Sequence, residues 1–425
     1  MQATIEPGNI GGVISAPPSK SVTQRAFAGA LLHKGTTVIT NAGSSDDENA
    51  ALHIIQQLGA KIVAQAEDII EITSNGVLPV TDTINCGESG LAARLFTPIA
   101  ALSDKPVSIT GTGTLLARPM QMFGEFLPAL NIGISGFNGY LPITVKGPLR
   151  ALPVRINAEE SSQFLSGLLL AYGSIATAPV VIEVEGLKSK PYIDLTLEVM
   201  RHFGRPIPYH NYKKFDIDPS FFSYPTTVEI NVEGDWSSAA YLLVAGAITG
   251  AVTVKNLNMD SVQADVAILK VLGNAGVELV FSDDSVSVQK TRLRAFEFDA
   301  TDCPDLFPVL AILAACCDGE SYINGVHRLF NKESNRAASI SDMLENFGVP
   351  LSIEDDMLCV TGTRKLQGTV IDSYHDHRIV MAAAIGALRA SGPVDILNAE
   401  AVNKSYPGFF RDLISCGGKC NFSAA

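Results

Sequence analysis

The chain reads as an α/β protein of two lobes, built from six repeated units of βαβαββ type, three per lobe. Two markers predict this. Glycines that close an apolar helical stretch fall at Gly59, Gly133, Gly204, Gly276, Gly348 and Gly418, at spacings of 74, 71, 72, 72 and 70 residues. A turn that opens a β-branched strand begins at Gly35, Lys105, Ala178, Gly250, Gly319 and Gly392, at spacings of 70, 73, 72, 69 and 73. Six units of about 71 residues then fill all 425 positions. That period is longer than the usual solenoid repeat, so each unit should be a small α/β layer.

Within a unit the elements follow one order. First comes a helix that is apolar nearly all round: Arg25–Leu32, Leu91–Leu102, Phe164–Tyr172, Ala239–Ile248, Phe307–Cys317 and Arg378–Leu388. Such a helix has no face for water and should be buried. A strand follows, as in Thr36–Thr40 and Val252–Val254. A second, amphipathic helix comes next, as in Glu48–Leu58 and Val262–Leu272, and glycine closes it as a C-cap. A hairpin completes the unit, Lys61–Val63 with Ile69–Ile72, or Glu278–Phe281 with Ser285–Val288. A further strand leads into the next unit.

Composition narrows the function. Hydrophobic residues make up 47% and charged residues only 18%, which suits large buried cores. The net charge of −13 argues against a nucleic-acid partner. Seven cysteines at scattered positions argue for a reducing compartment. The N-terminus lacks a basic region ahead of an apolar run, and no apolar run approaches the roughly 20 residues of a membrane span. A cytoplasmic protein with no membrane partner is expected.

Each apolar helix is preceded by polar residues. The six leaders are Pro18-Ser19-Lys20-Ser21, Cys86-Gly87-Glu88-Ser89-Gly90, Glu160-Ser161-Ser162-Gln163, Gly234-Asp235-Trp236-Ser237-Ser238, Asp302-Cys303-Pro304-Asp305 and His375-Asp376-His377-Arg378. Helix capping accounts for some of them, and is expected of Ser237 and Ser238. It does not call for Lys20, Gln163, His377 or Arg378. Helix N-termini bind anions through free N–H groups and the positive dipole end. Further cations recur nearby: Arg25, Arg94, Arg118, Lys190, Lys332, Arg336 and Lys404. Arginine grips carboxylate or phosphate in two-pronged fashion, and lysine acts as a compact charge. The pattern calls for a ligand with two or more anionic groups. Asp47, Asp305 and Glu333 lie among these cations and are candidate acids and bases. No Gly-x-Gly-x-x-Gly or Walker motif supports a nucleotide cofactor. Neither the His375/His377 pair nor the Cys416/Cys420 pair has the further ligands a metal needs, so no metal and no cofactor is expected.

The stretches Pro18-Ser19-Lys20-Ser21 with Arg25, Ser161-Ser162-Gln163-Phe164-Leu165, Ser189-Lys190-Pro191-Tyr192-Ile193-Asp194, Val232-Glu233-Gly234-Asp235, Lys332-Glu333 with Arg336, and Asp376-His377-Arg378 occur in the order found in the EPSP synthases. The chain resembles that family over essentially its full length. The resemblance implies the two-lobed enolpyruvyl-transferase fold, with residues 19–232 as one lobe and residues 1–18 plus 233–425 as the other. It implies transfer of the carboxyvinyl group of phosphoenolpyruvate to the 5-hydroxyl of shikimate 3-phosphate. By resemblance, Ser161, Ser162 and Ser189 hold the shikimate phosphate. Ser21 and Arg25 hold its carboxylate, and Gln163 and Tyr192 lie along the ring. Lys20, Gly90, Arg118, Gln163, Arg336, Arg378 and Lys404 match the phosphoenolpyruvate site, and Lys20 is also shared with the other substrate. Asp305 matches the base at the 5-hydroxyl with Lys332 beside it, and Glu333 matches the acid. A monomer that closes its lobes on substrate is expected.

Departures from the family pattern fall at Glu88-Ser89-Gly90-Leu91 and at Ser334-Asn335. A carboxylate aimed at an anion site is unfavourable, so Glu88 should turn away toward a cation, Arg94 being the candidate, and Leu91 should enter the core. Three rival readings are weaker. A sister enzyme acting on a UDP-sugar would carry a loop cysteine, and Gly111–Arg118 has none. A silent anion-binding relative would have lost Asp305, Glu333 or Lys20. An RNA-end cyclase does not fit the acidic charge.

Overall fold

The computed structural model describes residues 1–66, 69–136, 138–159, 161–363 and 365–423. Glu160, the first residue of the third leader, lies outside them. Six four-stranded sheets are present among the described residues, and all share one arrangement. In the second repeat, Thr83–Asn85 runs parallel to Val107–Thr110, and the helix Gly90–Ala100 makes the crossover a parallel pair requires. Ile143–Lys146 then pairs antiparallel with Val107–Thr110, and Gly133–Ser135 pairs with Ile143–Lys146. The fold is thus α/β with six repeated units, as the spacing of glycines and turns predicts.

The chain divides into two compact units, Pro18–Val232 and Met1–Pro17 with Glu233–Ala425. Strand pairing shows why each is self-contained. In Pro18–Val232, the last strand, Thr227–Asn231, returns to pair in parallel with Gly35–Thr40 of the first repeat. In the other unit, Gln2–Glu6 lies between Val394–Leu397 and Lys419–Ser423, antiparallel to both. It supplies the hairpin strand that the sixth repeat lacks. Gly11–Ser15 then pairs in parallel with Ala251–Lys255 of the fourth repeat. Ala3 and Ile5, one face of the first strand, are fully buried by this insertion.

The first helices of the three repeats pack together in each unit. They are Lys20–Leu32, Gly90–Ala100 and Ser162–Ile175 in one, and Trp236–Thr249, Phe307–Ala315 and His377–Ala387 in the other. Every residue of Gly90–Ala100, Trp236–Thr249, Phe307–Ala315 and His377–Ala387 is buried, the outcome expected for helices apolar all round. Gly167 lets two of them approach: a Cβ there would stand 2.7 Å from Pro98 Cγ.

Two local expectations need correction. Gly59, Gly204, Gly276 and Gly348 have positive φ, as left-handed C-caps should, but Gly133 and Gly418 do not. At those two ends Asn131 (φ 59°) and Gly417 (φ 95°) take the left-handed position. Val262–Leu272 is not one α-helix. It is a 3-10 turn, Ala264–Ala267, followed by the α-helix Ile268–Asn274. Gln263 stays outside because its side chain is bonded elsewhere: it accepts from Trp236 N–H at 3.0 Å and donates to Glu233 and to Gly234 C=O, both at 2.8 Å.

Candidate active site

In Pro18–Val232 the predicted residues sit at the starts of the packed helices. The helix Lys20–Leu32 begins a turn earlier than the apolar run suggests, so Lys20 and Ser21 are its first residues. Lys20 Nζ lies 2.9 Å from the Asp47 carboxylate. Ser45 caps the neighbouring helix Asp46–Gln57 in a capping box with Glu48, which leaves the Asp47 carboxylate to meet Lys20. Arg25 lies one turn further on and is fully buried. It donates to Thr196 Oγ1 (2.8 Å), Ser21 C=O (2.8 Å) and Tyr192 C=O (3.3 Å). Burial pushes this guanidinium down to about 10, with Tyr192 opposing. Thr196 in turn donates to Ser166, and Ser166 to Ser162 C=O (3.2 Å). A polar ladder therefore joins Arg25, Tyr192 and Ser162 inside the unit. Ser189 is buried with φ 55°, and its C=O accepts from Tyr192 N–H at 3.2 Å.

The second group centres on Gly90, the first residue of its helix, capped by Ser89. Arg94 donates to Gly90 C=O and to Gln163 Oε1, both at 3.2 Å. The N–H of Gln163 donates to Ser161. A Cβ at Gly90 would stand 2.6 Å from Arg118 Nη1 and 2.8 Å from Arg94 Nη1, so both guanidiniums crowd this helix start. Glu88 takes the N–H and the hydroxyl of Thr114, each at 2.8 Å, at the start of the 3-10 turn Gly113–Ala117. Leu91 is buried in the core as expected.

In the other unit the candidate acid and base meet on one arginine. Arg336 is the first residue of the helix Arg336–Asn346, and Asn335 caps it through Ala338 N–H. Its guanidinium is wholly buried. It donates to Asp305 (2.8 Å), Glu333 (2.5 Å) and Asp376 (3.0 Å). Burial opposes the Arg336 charge, but Asp376, Glu333 and Asp305 outweigh it and hold the group well above its ordinary value. Asp305 lies in the 3-10 turn Pro304–Leu306 and also meets Arg378 (3.3 Å) and Lys332 (3.5 Å). Burial works against its charge too. Lys332, Arg378 and Arg336 prevail, so the carboxyl sits well below the usual carboxylate range. Burial, offset in part by Asp305, lowers Lys332. Asp305 makes no helix cap; it belongs to the charged cluster. Lys404 donates to His375 C=O at 2.7 Å.

Sequence reasoning placed Asp376 in a motif but not in a role. It caps the helix His377–Ala387 through Arg378 N–H and anchors Arg336 from the other side. Capping by Ser237 and Ser238 is not observed. Asp235 caps that helix through Ser238 N–H, and the Ser237 hydroxyl is bonded to Asp265. Asp265 escaped notice because no charge pattern in its segment sets it apart.

A family model described as EPSP synthase (3-phosphoshikimate 1-carboxyvinyltransferase) matches residues 5–413. The chain belongs to the EPSP synthase family. A relative named 3-phosphoshikimate 1-carboxyvinyltransferase from Clostridium novyi is 34% identical over 423 residues, covering 97% of each chain. One of the same name from Thermococcus kodakarensis is 37% identical over 404 residues, covering 95% of this chain and 96% of its own. Among solved structures, an EPSP synthase from Acinetobacter baumannii superposes with a TM-score of 0.82 at 25% identity, covering 99% of this chain and all of that one. The enolpyruvyl transferase NikO from Streptomyces tendae shares the fold at a TM-score of 0.81 and 16% identity.

Proposed function

We propose that the chain transfers the carboxyvinyl group of phosphoenolpyruvate to the 5-hydroxyl of shikimate 3-phosphate, releasing phosphate; the relatives' name, 3-phosphoshikimate 1-carboxyvinyltransferase, supports a carboxyvinyl transfer involving 3-phosphoshikimate. The observation that carries this reading is the Arg336 cluster. One buried guanidinium bonds the candidate base Asp305 and the candidate acid Glu333, with Lys332 and Arg378 around the base.

Two highly charged anions repel one another, so cations must bring them together before any chemistry. In the addition step Asp305 takes the proton of the 5-hydroxyl as its oxygen bonds to C2 of phosphoenolpyruvate. Glu333 gives a proton to the methylene carbon. Loss of phosphate, with return of a proton from the new methyl group, completes the exchange with no covalent enzyme intermediate. With three cations at hand the Asp305 carboxylate is a weak base. Anionic substrates that engage Lys332 and Arg378 raise its basicity when it is needed. Fixed cations then meet the charge that develops.

Ser161, Ser162 and Ser189 are assigned to the shikimate phosphate, with Ser21, Arg25, Gln163 and Tyr192 along the rest of that substrate. Lys20, Gly90, Arg118, Gln163, Arg336, Arg378 and Lys404 are assigned to phosphoenolpyruvate. On this reading residues 19–232 form the shikimate 3-phosphate side, and residues 1–18 with 233–425 supply the acid and base. The chain is read as a cytoplasmic monomer; seven unpaired cysteines support a reducing compartment. No helix among the described residues is long and apolar enough to cross a membrane. The test is phosphate release by purified protein with phosphoenolpyruvate and shikimate 3-phosphate, each omitted in turn. Release that does not require both substrates would exclude the reading.

A further inference from the structure

Near Asp305 lies a buried carboxyl that the proposed chemistry does not use. The bonds of Gln263 pin its segment against the start of the helix Trp236–Thr249. Asp265 follows in the 3-10 turn Ala264–Ala267 and is 2% exposed. The Ser237 hydroxyl bonds Asp265 Oδ2, while the buried Oδ1 has no hydrogen-bond partner. Arg378 is unmet in the complementary sense. Its Nη2 reaches Asp305 at 3.3 Å, a long bond, and its Nε and Nη1 are buried without a partner. One cluster thus holds a buried acceptor and two buried donors that are all unsatisfied. Each such group carries a desolvation cost that a small movement can relieve.

The groups facing Asp265 come from three directions. Asp235 and Ser237 lie at the helix start, Asp305 and Cys303 in the 3-10 turn and the residue before it, and Arg378 on the helix His377–Ala387. Burial, reinforced by Asp305 and Asp235 and opposed by Arg378 and the Ser237 hydroxyl, pushes the Asp265 carboxyl up to about 7. Burial and the surrounding carboxylates, Asp265 among them, push the Cys303 thiol up as well.

We propose that Asp265 is a positioning residue that decides whether Arg378 stays with Asp305. With a proton on Oδ1, Asp265 has no charge to offer and Arg378 remains on Asp305, available to the phosphoenolpyruvate site. When that proton leaves for solvent, the free carboxylate draws the unpartnered Nε and Nη1 of Arg378 toward itself. Asp305 then loses a partner and the site loses a cation. This rests on the function proposed above, but its first test does not.

Asp265→Asn keeps the shape and cannot ionise. A carboxyl whose pKa is higher folded than unfolded contributes stability at low pH that is lost as pH rises through the folded-state value. Melting curves of the wild type and Asp265→Asn should therefore diverge, in favour of the variant, as pH rises from the unfolded value of 3.8 to about 7, and keep a constant separation above it. A double-mutant cycle with Arg378→Gln, read by melting, should show Asp265–Arg378 coupling that grows as pH rises past about 7, where the folded carboxyl ionises. Curves that stay parallel between pH 3.8 and about 7, or coupling independent of pH, overturn the proposal whether or not the protein is an enzyme. In turnover, kcat/KM for phosphoenolpyruvate should fall about tenfold per pH unit above the ionisation, the slope of a single proton. That limb should vanish in Asp265→Asn and move to higher pH in Ser237→Ala, because the hydroxyl favours the ionised carboxylate. A limb that persists unchanged in Asp265→Asn overturns the positioning role. Absence of turnover in the wild type instead defeats the proposed function and leaves the melting tests to judge Asp265.

Discussion

Arg336 Nη1 stands 2.8 Å from Asp305 Oδ1, and the guanidinium that makes this contact is sealed from solvent. Against the cost of burial, Lys332 and Arg378, joined by this contact, keep Asp305 ionised, as a base must be. Asp305→Asn preserves shape and removes that charge. Turnover should fall by about 10² or more, the scale of a general base, with shikimate 3-phosphate binding largely intact. Calorimetry with shikimate 3-phosphate and steady-state rates decide it; normal turnover would take Asp305 out of the mechanism.

Arg336 also bears on stability. It bonds Glu333 and Asp376 as well as Asp305, and Asp376 is wholly buried. Arg336→Ala leaves carboxylates in a dry site without their counter-ion, which costs about 3–5 kcal/mol. Lysine restores the charge but cannot reach three partners at once. Urea melts should rank wild type above Arg336→Lys and Arg336→Lys above Arg336→Ala. The gap to Arg336→Ala should narrow in acid, where Asp305 takes up its proton and its depressed-pKa contribution is lost.

Gly90 is confined by two guanidiniums. A methyl there needs Arg118 and Arg94 to move by several tenths of an ångström, because the built contacts are 2.6 and 2.8 Å. Gly90→Ala should raise the Michaelis constant for phosphoenolpyruvate several-fold while the fold stays intact. Circular dichroism and initial rates check both halves. An unchanged constant would mean that neither arginine works from its observed place.

Glu88 offers a contrast at the same helix start. It accepts two bonds from Thr114, and the carbonyl of glutamine can accept both. Glu88→Gln should change the phosphoenolpyruvate Michaelis constant less than about threefold, a shift worth under 1 kcal/mol. Loss of turnover would show instead that Glu88 belongs to the active site.

Thr196→Val tests the ladder under the shikimate side. The change is nearly isosteric, but it strips Arg25 Nε of its acceptor and Ser166 of a donor. A buried donor left unmet costs about 1–3 kcal/mol, and more when it is charged. Melting temperature should drop, and shikimate 3-phosphate affinity should weaken more than phosphoenolpyruvate affinity, since the ladder ends at Tyr192 and Ser162.

By itself the sequence determined the α/β class, the six units and the burial of helices such as Trp236–Thr249. Those properties rest on local period, and a helix with no polar face has one place to go. It also marked Lys20, Gly90, Asp305, Arg336 and Arg378, because helix starts and charges are legible one segment at a time. Tertiary structure alone decided how distant segments meet. That Gln2–Glu6 completes the sixth sheet follows from an open strand edge about 400 residues away along the chain, and nothing local to either segment announces the pairing. Asp376 became the partner of Arg336, and Asp265 the neighbour of Ser237 and Arg378, only when burial placed charges that must be matched inside one unit. Solvation and charge pairing act through space, so the residues they select were visible as letters but not as a site.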